Sequence, residues 1–244
     1  MLKNKVVLIT GAGSGLGRAL ALAFCQEGCR VIGFGRQQKT LEETASSINS
    51  KSFSYNVVDV LNYEELSEQV KNVFEKYQAI DFLFNNAAVY PKVNFMDESA
   101  KEFSDAMAIN IVGVANGCKA VLPIMLKQGD GRIYNLGSWA DLSPIADSAA
   151  YSASKGAIHG LTKSIAIDIA HLETQVEVHE WIPGHLNTQM SGYTGIDPSV
   201  SASWAVAIAQ RVNIRKNSLF DRDQEWLPPK SLKQKIKNKL QFWK

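Results

Sequence analysis

The sequence lacks a disulfide framework, a secretion signal and a long uninterrupted apolar run, and each absence excludes a class of protein. Three cysteines are too few to staple a chain of 244 residues, which favours a reducing compartment. Cys25 and Cys29 lie four residues apart on a predicted helix and are more typical of buried hydrophobic positions than of metal ligands. No apolar run reaches the length of a membrane span. We therefore expect a cytoplasmic globular protein without a metal site.

The chain also lacks a basic body. Its net charge is +2, but residues 230–244 hold six lysines and no acid, so removing them leaves −4 for residues 1–229. A mildly acidic body argues against nucleic-acid binding. Residues 230–244 are predicted to form a basic amphipathic tail, in which apolar residues recur at Leu232, Ile236, Leu240 and Trp243. Such a tail docks on its own domain or on a second copy, or makes peripheral membrane contact, and both alternatives stay open.

Between residues 5 and 182, short apolar runs alternate with amphipathic stretches. The runs predict strands at 5–10, 30–35, 52–58, 80–85, 131–138 and 175–182. Helices are predicted at 18–26, 39–49, 63–77, 100–128, 149–171 and 199–212, the fourth interrupted near Asn110. No seventh strand is evident. The alternation predicts an α/β fold with a doubly wound parallel sheet of the Rossmann type, three layers α/β/α, in a single domain over residues 1–229.

A glycine-rich turn lies between the first predicted strand and the first predicted helix. Glycines at 11, 15 and 17 permit a close approach of the backbone to a pyrophosphate, and the helix N-terminus would present free N–H groups to it. The spacing differs from the common G-x-G-x-x-G. Strand, turn and helix together nevertheless predict nucleotide binding.

The second predicted strand ends at Gly35 and is followed by Arg36, where an NAD enzyme usually carries an acid. An arginine attracts a 2′-phosphate through charge-assisted hydrogen bonds, whereas a carboxylate repels it. Ser14 could reach the same phosphate. We therefore expect NADP(H) rather than NAD(H) as the cofactor.

Tyr151 and Lys155 are spaced to lie on one face of a helix, and Ser138 precedes them at the end of the fifth predicted strand. An ammonium beside a phenol favours the phenolate, so we expect a lowered pKa for Tyr151. Such a tyrosine can exchange a proton with a carbonyl or alcohol oxygen, and Ser138 could hydrogen-bond that oxygen. Asn110, inside an apolar helical stretch, is either a kink satisfied by backbone or a deliberately placed polar group.

These motifs, taken in order, resemble the short-chain dehydrogenase/reductase family in its compact single-domain form, over about residues 5–190. Residues 10–17 are similar to the family's cofactor turn, and Asp59-Val60 to its adenine contact. Asn85-Asn86-Ala87-Ala88 matches the NNAG motif, with Ala88 where glycine is usual. The resemblance completes the candidate cofactor-binding set, which is Thr10, Gly11, Ser14, Gly15, Leu16, Gly17, Arg36, Asp59, Val60, Asn86, Ala87, Ala88, Tyr151, Lys155, Pro183, Gly184 and Thr188.

The resemblance also implies a catalytic tetrad of Asn110, Ser138, Tyr151 and Lys155. It implies hydride transfer between NADP(H) and a small carbonyl or alcohol substrate, with Tyr151 as the general acid/base, in a homodimer or homotetramer. A non-catalytic nucleotide-binding scaffold or sensor on the same fold is the alternative, and the intact tetrad argues against it.

Two departures from the family pattern stand out. The sixth predicted strand reads Val178-His179-Glu180-Trp181 where the family often has an asparagine, and His179 is interpreted as structural. Trp139 directly follows Ser138 and is expected to narrow the pocket.

Overall fold

The structure is a computed structural model that describes residues 2–212, 214–215 and 217–226. The predicted tail at 230–244 and the predicted domain boundary at residue 229 lie outside the described residues. The strands are β1 Val6–Thr10, β2 Arg30–Gly35, β3 Phe53–Val57, β4 Phe82–Asn85, β5 Asp130–Leu136, β6 Gln175–Ile182, β7 Leu219–Asp221 and β8 Gln224–Trp226. The helices are α1 Gly15–Gln26, α2 Gln38–Ile48, α3 Tyr63–Tyr77, α4 Ala100–Met107, α5 Gly113–Gln128, α6 Ala149–Ile169 and α7 Pro198–Ala209.

The strands form one sheet in the order β3-β2-β1-β4-β5-β6-β7-β8. All neighbours pair in parallel except β7 and β8, which are antiparallel. One apolar cluster fills the side of the sheet covered by α1 and α7, and a second fills the side covered by α3, α5 and α6. The predicted doubly wound, three-layer α/β/α fold is therefore confirmed. The chain reverses direction across the sheet between β1 and β4, where ligands bind in folds of this kind.

A seventh strand, which is not evident in the sequence, is present in the structure. Leu219–Asp221 forms β7, which pairs in parallel with β6 through Glu180–Leu219, Trp181–Phe220 and Ile182–Asp221. Only Phe220 of its three residues is fully buried. A strand of three residues with one buried side chain gives no readable alternation, so the sequence pattern could not reveal it.

Local sequence signals set several helix boundaries. Asn62 caps α3 by accepting from Glu65 N, and Ser99 and Glu102 form a reciprocal capping box at α4. Asp197 caps α7, with Pro198 at its first position. These side chains accept hydrogen bonds from N–H groups that a helix leaves unpaired in its first turn. The first turn of α1 has no side-chain cap of this kind.

By length and composition, the continuous helical stretch Ala100–Gln128 would be apolar enough to cross a membrane. This qualifies the sequence-based statement that no run reaches a span. Half of its most apolar window is buried inside the domain. It packs against β4, β5 and α3, as a core helix of a three-layer fold does.

Candidate active site

The glycine-rich turn is hydrogen-bonded to the residues that directly follow β4. Thr10 Oγ1 accepts hydrogen bonds from the main-chain N–H groups of Asn86 and Ala87, both at 3.0 Å. The Asn86 side chain returns the contact, since its Nδ2 donates to Thr10 O at 2.9 Å and to Gly11 O at 3.3 Å. Thr10 is almost fully buried. Thr10 and Asn86 therefore hold the turn in place from behind.

Two of the glycines are required by this packing. Gly11 has φ +68°, and a Cβ atom there would lie 2.9 Å from Ala87 Cα. A Cβ atom on Gly17 would overlap the carbonyl oxygen of Gly11, because the first turn of α1 lies directly on the loop. Leu16 anchors this turn in the core and is buried. The loop is thus pressed against β4 and α1.

The N-terminus of α1 is suited to an anion. Its N-cap residue, Ser14, is extended and exposed and makes no side-chain cap hydrogen bond. The helices α3, α4 and α7 all have such a cap. Uncapped N–H groups and the positive end of the helix dipole attract a phosphate. The residues present therefore fit the pyrophosphate of a dinucleotide.

Arg36 and Asp59 lie together at the ends of β2 and β3. The Nη1 of Arg36 is 3.9 Å from Oδ2 of Asp59, and both side chains are well exposed. Asp59 also accepts from Leu61 N at 2.9 Å, which fixes its carboxylate. Val60 is buried, and its carbonyl accepts from Asn116 Nδ2 at 2.9 Å. Arg36 is therefore loosely held and free to turn toward a ligand phosphate.

The catalytic candidates Ser138 and Tyr151 are brought together by β5 and α6. Ser138 lies two residues beyond the end of β5, slightly later than predicted. Its Oγ accepts from Ala140 N at 3.1 Å, and its hydroxyl is near enough to Tyr151 to act on the pKa of the phenol, which it lowers. Tyr151 lies in the first turn of α6 and is half-buried. A hydroxyl and a phenol close to each other at a strand end form a site for a polar oxygen of a substrate.

Lys155 lies one turn after Tyr151 and is 5% exposed. Its Nζ donates to Leu136 O at 2.8 Å and lies 5.5 Å from the centroid of the Tyr151 ring. Burial lowers the pKa of Lys155 to about 8, while the charge of Glu180 opposes that fall.

The expected lowering of the Tyr151 pKa is not found. Burial raises the pKa of Tyr151, and the hydrogen bond with Ser138 only partly opposes this effect. The physical reason is that desolvation penalises a phenolate more than these neighbours stabilise it. Tyr151 is consequently protonated at neutral pH, in the form that can donate a proton.

Asn110 lies in a π-helical turn, Ala108–Val112, that joins α4 to α5. Its Oδ1 accepts from Val89 N at 2.8 Å, and its Nδ2 donates to Val89 O and to Ser154 Oγ, each at 2.9 Å. The side chain is completely buried. Asn110 is therefore both a satisfied kink and a brace that ties the loop after β4 to α6.

Sequence reasoning missed Tyr90. Its ring stacks on Tyr151 with centroids 4.6 Å apart and an interplanar angle of 20°. Lys92 lies 5.7 Å from the Tyr90 centroid on the loop that follows Ala88. A single aromatic residue in a loop carries no periodic signal, so only the fold could place it beside Tyr151.

The segment after β6 reaches the glycine-rich turn. A Cβ atom on Gly15 would lie 3.3 Å from Thr188 Cγ2, so Thr188 faces the start of α1. Gly184 has φ +89°, which lets the chain turn sharply after Pro183, whose carbonyl accepts from Ser201 Oγ at 2.9 Å. The predicted segment thus borders the same cleft.

Trp139 forms a wall of the site. Its ring meets Trp226 of β8 edge-on, with centroids 5.7 Å apart. Both rings line a cavity of about 100 Å³ that also contains Ser138. Trp226 could not be assigned a role from the sequence because β8 itself was not predicted.

Among residues 2–212, 214–215 and 217–226, no group of three or more histidine, cysteine or acidic side chains is placed to hold a metal ion. The four tetrad candidates and the glycine-rich turn all lie around the carboxyl ends of the central strands.

Comparison with known proteins agrees with this geometry. The family model described as short chain dehydrogenase matches residues 5–198. An uncharacterized oxidoreductase of Staphylococcus saprophyticus is 32% identical over 231 residues, which cover 91% of this chain and 98% of that protein.

Solved structures share the fold. A 3-ketoacyl-(acyl-carrier-protein) reductase from Brucella melitensis, complexed with NADH, gives a TM-score of 0.82 at 23% identity, covering 92% of this chain and 100% of that one. A metagenomic short-chain oxidoreductase in complex with NADP gives 0.77 at 24% identity, covering 91% and 99%. The extent of the family match and the identity to the staphylococcal relative show that the chain belongs to the short chain dehydrogenase family of oxidoreductases.

Proposed function

We propose that this protein is an NADP(H)-dependent oxidoreductase that interconverts a carbonyl and an alcohol. The observation that carries the proposal is the placement of Tyr151 and Lys155 one helical turn apart at the end of β5. The buried ammonium of Lys155 lies 5.5 Å from the centroid of the Tyr151 ring and donates to Leu136 O, two residues before Ser138. This group lies on the same edge of the sheet as the uncapped N-terminus of α1. A proton donor is thereby held next to a place suited to a dinucleotide.

A bound nicotinamide would supply the hydride. The chain's own residues bind the substrate oxygen and supply its proton. Ser138 donates a hydrogen bond to that oxygen, and Tyr151, protonated at neutral pH because burial raises its pKa, supplies the proton in the reduction direction. Lys155 provides a positive charge close to the Tyr151 ring, which favours the phenolate once the proton has left.

Asn110 acts at a distance from the reacting atoms. Its side chain joins Val89 to Ser154, and Ser154 Oγ donates to Tyr151 O at 2.7 Å. The loop that carries Tyr90 is thereby held against the first turn of α6. We assign Asn110 a positioning role in the tetrad.

The preference for NADP(H) rests on Arg36. The two solved structures compared above are complexes with NADH and with NADP, respectively, so they favour neither cofactor. Arg36 is exposed at the end of β2, and its one carboxylate contact, Asp59 at 3.9 Å, is too long for a tight pair. A 2′-phosphate would offer it shorter, charge-assisted hydrogen bonds.

The decisive experiment compares oxidation of NADPH and NADH against a panel of ketones, aldehydes and acyl thioesters. We expect turnover with NADPH, and Arg36→Gln is expected to raise the KM for NADPH by about ten- to a hundredfold while changing that for NADH less than twofold. Binding of NADPH without turnover of any substrate would instead support a nucleotide-binding scaffold. Equal use of both cofactors by the unaltered protein would contradict the cofactor assignment.

The remaining expectations belong to the same proposal. We propose a cytoplasmic location, and a homodimer or homotetramer whose mass can be measured by light scattering. The substrate is a small molecule, because the cavity beside Ser138 is about 100 Å³.

A further inference from the structure

The cavity beside Ser138 contains an ionisable pair that the proposed reaction has not used. Its lining includes Ser138, His159 and Glu180. Nδ1 of His159 and Oε2 of Glu180 are 2.6 Å apart. Glu180 is 4% exposed, whereas the His159 side chain is 36% exposed. The pair therefore joins a buried carboxyl group to a partly exposed imidazole.

The fold holds Glu180 close to the catalytic candidates. A Cβ atom on Gly137 would overlap Glu180 Oε1, so the carboxyl group lies directly against the main chain that precedes Ser138. Lys155 donates to Leu136 O, one residue earlier in the same stretch. Glu180 and Lys155 are also near enough for each charge to shift the pKa of the other.

The helix α6 supplies the other partners from one face. Tyr151, Lys155 and His159 follow one another at four-residue intervals, so they form a row along the helix. The row begins at the phenol that Ser138 contacts and ends at a partly exposed imidazole. Polar side chains, one per helical turn, thus lead from the site toward solvent.

We propose that Glu180 and His159 form a proton relay that exchanges the proton of Tyr151 with solvent through Ser138 and the cavity. This inference rests on the proposed function, because it concerns the same reaction. The cavity has room for a few water molecules and is lined by polar groups that can bind them.

The proton balance closes without a further reactant. In the reduction direction Tyr151 gives its hydroxyl proton to the forming alcohol. The Ser138 hydroxyl passes a proton to the phenolate and takes one from water in the cavity. That water takes a proton from the Glu180–His159 pair, and His159 then takes a proton from solvent. One proton enters for each one consumed, and no group is left with a changed charge.

The charges around Glu180 favour this behaviour. Asp141 and burial raise the pKa of Glu180, while His159 and Lys155 lower it, and the net shift is upward. A raised pKa makes the protonated form of Glu180 easier to reach than that of a solvated carboxyl group, so Glu180 can give a proton as well as take one. Among the described residues, β7 and β8 contribute only the uncharged side chains of Leu219 and Trp226 to the lining of this cavity. On α6, Lys163 lines the small cavity that adjoins it.

The test uses Glu180→Gln and His159→Gln in the full chain with NADPH and a substrate that the unaltered protein turns over. We expect kcat to fall about tenfold in each variant and the solvent deuterium isotope effect on kcat to rise, because proton delivery becomes slower. The KM for NADPH should change less than twofold. Added imidazole should restore kcat in His159→Ala, where the vacated space adjoins the cavity.

Matched controls separate a relay from mere packing. Glu177→Gln removes a buried glutamate on the opposite face of β6, and His171→Gln removes an exposed histidine just beyond α6, so neither should change the isotope effect. Unchanged kcat, pH profile and isotope effect in His159→Gln and Glu180→Gln would overturn the relay. If Glu180→Gln does not fold, His159→Gln together with the imidazole rescue of His159→Ala decides alone. Failure of the unaltered protein to turn over any substrate would overturn the proposed function instead.

Discussion

Strand β6 carries two glutamate–histidine pairs, one on each face, and they have opposite surroundings. On the face toward α1 and α7, Glu177 and His179 are joined at 3.1 Å, and His179 is completely buried between Tyr134 and Phe220. On the face toward α6, Glu180 meets a partly exposed His159 beside a cavity. The same residue types thus build a closed network on one face and an accessible one on the other.

The closed network fastens the edge of the sheet. Arg132 Nε bonds Glu177 at 2.7 Å, and Arg132 Nη1 donates to the carbonyls of Ala209 and Arg211. Nδ1 of His179 accepts from Ser218 N, just before β7. Both ring nitrogens of His179 have a partner, Glu177 for Nε2 and Ser218 N for Nδ1, which agrees with the interpretation of His179 as structural. The two faces differ in their access to water. The buried pair therefore contributes to stability, whereas the accessible pair can take part in proton exchange.

The largest effect should come from the α6 face. Tyr151→Phe removes the proposed proton donor and is expected to lower kcat by about 10²- to 10⁴-fold, with the thermal midpoint and NADPH affinity little changed. Steady-state kinetics and fluorescence titration of NADPH measure this. Tyr90→Phe keeps the stacked ring and serves as the control, with kcat within a few-fold of the unaltered protein. A comparable fall in both variants would remove the special role of Tyr151.

The next effect should come from the opposite face and appear only in stability. Arg132→Leu leaves Glu177 buried without its guanidinium partner, which typically costs about 3–5 kcal/mol. Urea unfolding should show this loss, while kcat/KM per folded molecule stays unchanged. If the variant were as stable as the parent but catalytically impaired, the division between the two faces of β6 would be wrong.

The pH dependence of stability should have opposite signs for the two glutamates. Burial alone would raise the pKa of Glu177, but His179 and Arg132 outweigh it and lower the pKa, so its stabilisation is present above the unfolded value of 4.5 and lost as pH falls. The pKa of Glu180 is raised, mainly by burial. Its contribution to stability is therefore present below the unfolded pKa of 4.5 and lost as pH rises through the raised pKa. Glu177→Gln should therefore destabilise most at neutral pH, and Glu180→Gln least there.

Urea denaturation of both variants and the parent at pH 4, 5, 6 and 7 tests this difference. Below pH 6.5, His179 adds to the acid sensitivity of the parent, because burial lowers its pKa and the unfolded chain binds the proton more readily. Parallel pH curves for the two glutamine variants would show that the two carboxyl groups have similar environments.

The smallest effect serves as a reference for both faces. Lys101 and Asp105 form an exposed pair at 2.6 Å on α4. Lys101→Ala should cost about 0.3–0.5 kcal/mol in urea unfolding and nothing in kcat, because water and ions screen such a pair. A larger loss would mean that the stability assay does not isolate the buried networks.

The sequence predicted the six long strands and the order of the motifs because these depend on local patterns. Apolar runs such as that of β1 mark strands buried on both faces, and the Tyr151–Lys155 spacing depends only on the helical period. The faces of β6 could not be distinguished in this way, since Glu177, His179 and Glu180 lie in a strand whose partners come from distant parts of the chain. Tyr90, Trp226 and the raised pKa of Tyr151 likewise depend on tertiary contacts and burial.

The contact between Gly137 and Glu180 restricts the order in which these positions can change during evolution. Because a Cβ atom at Gly137 would overlap the side chain of Glu180, Gly137→Ala forces that carboxyl group to move, whereas the same change made after Glu180→Ala no longer meets it. The effect of a substitution at position 137 therefore depends on the residue at position 180. The two positions are thus epistatic, and Glu180→Ala is the permissive step.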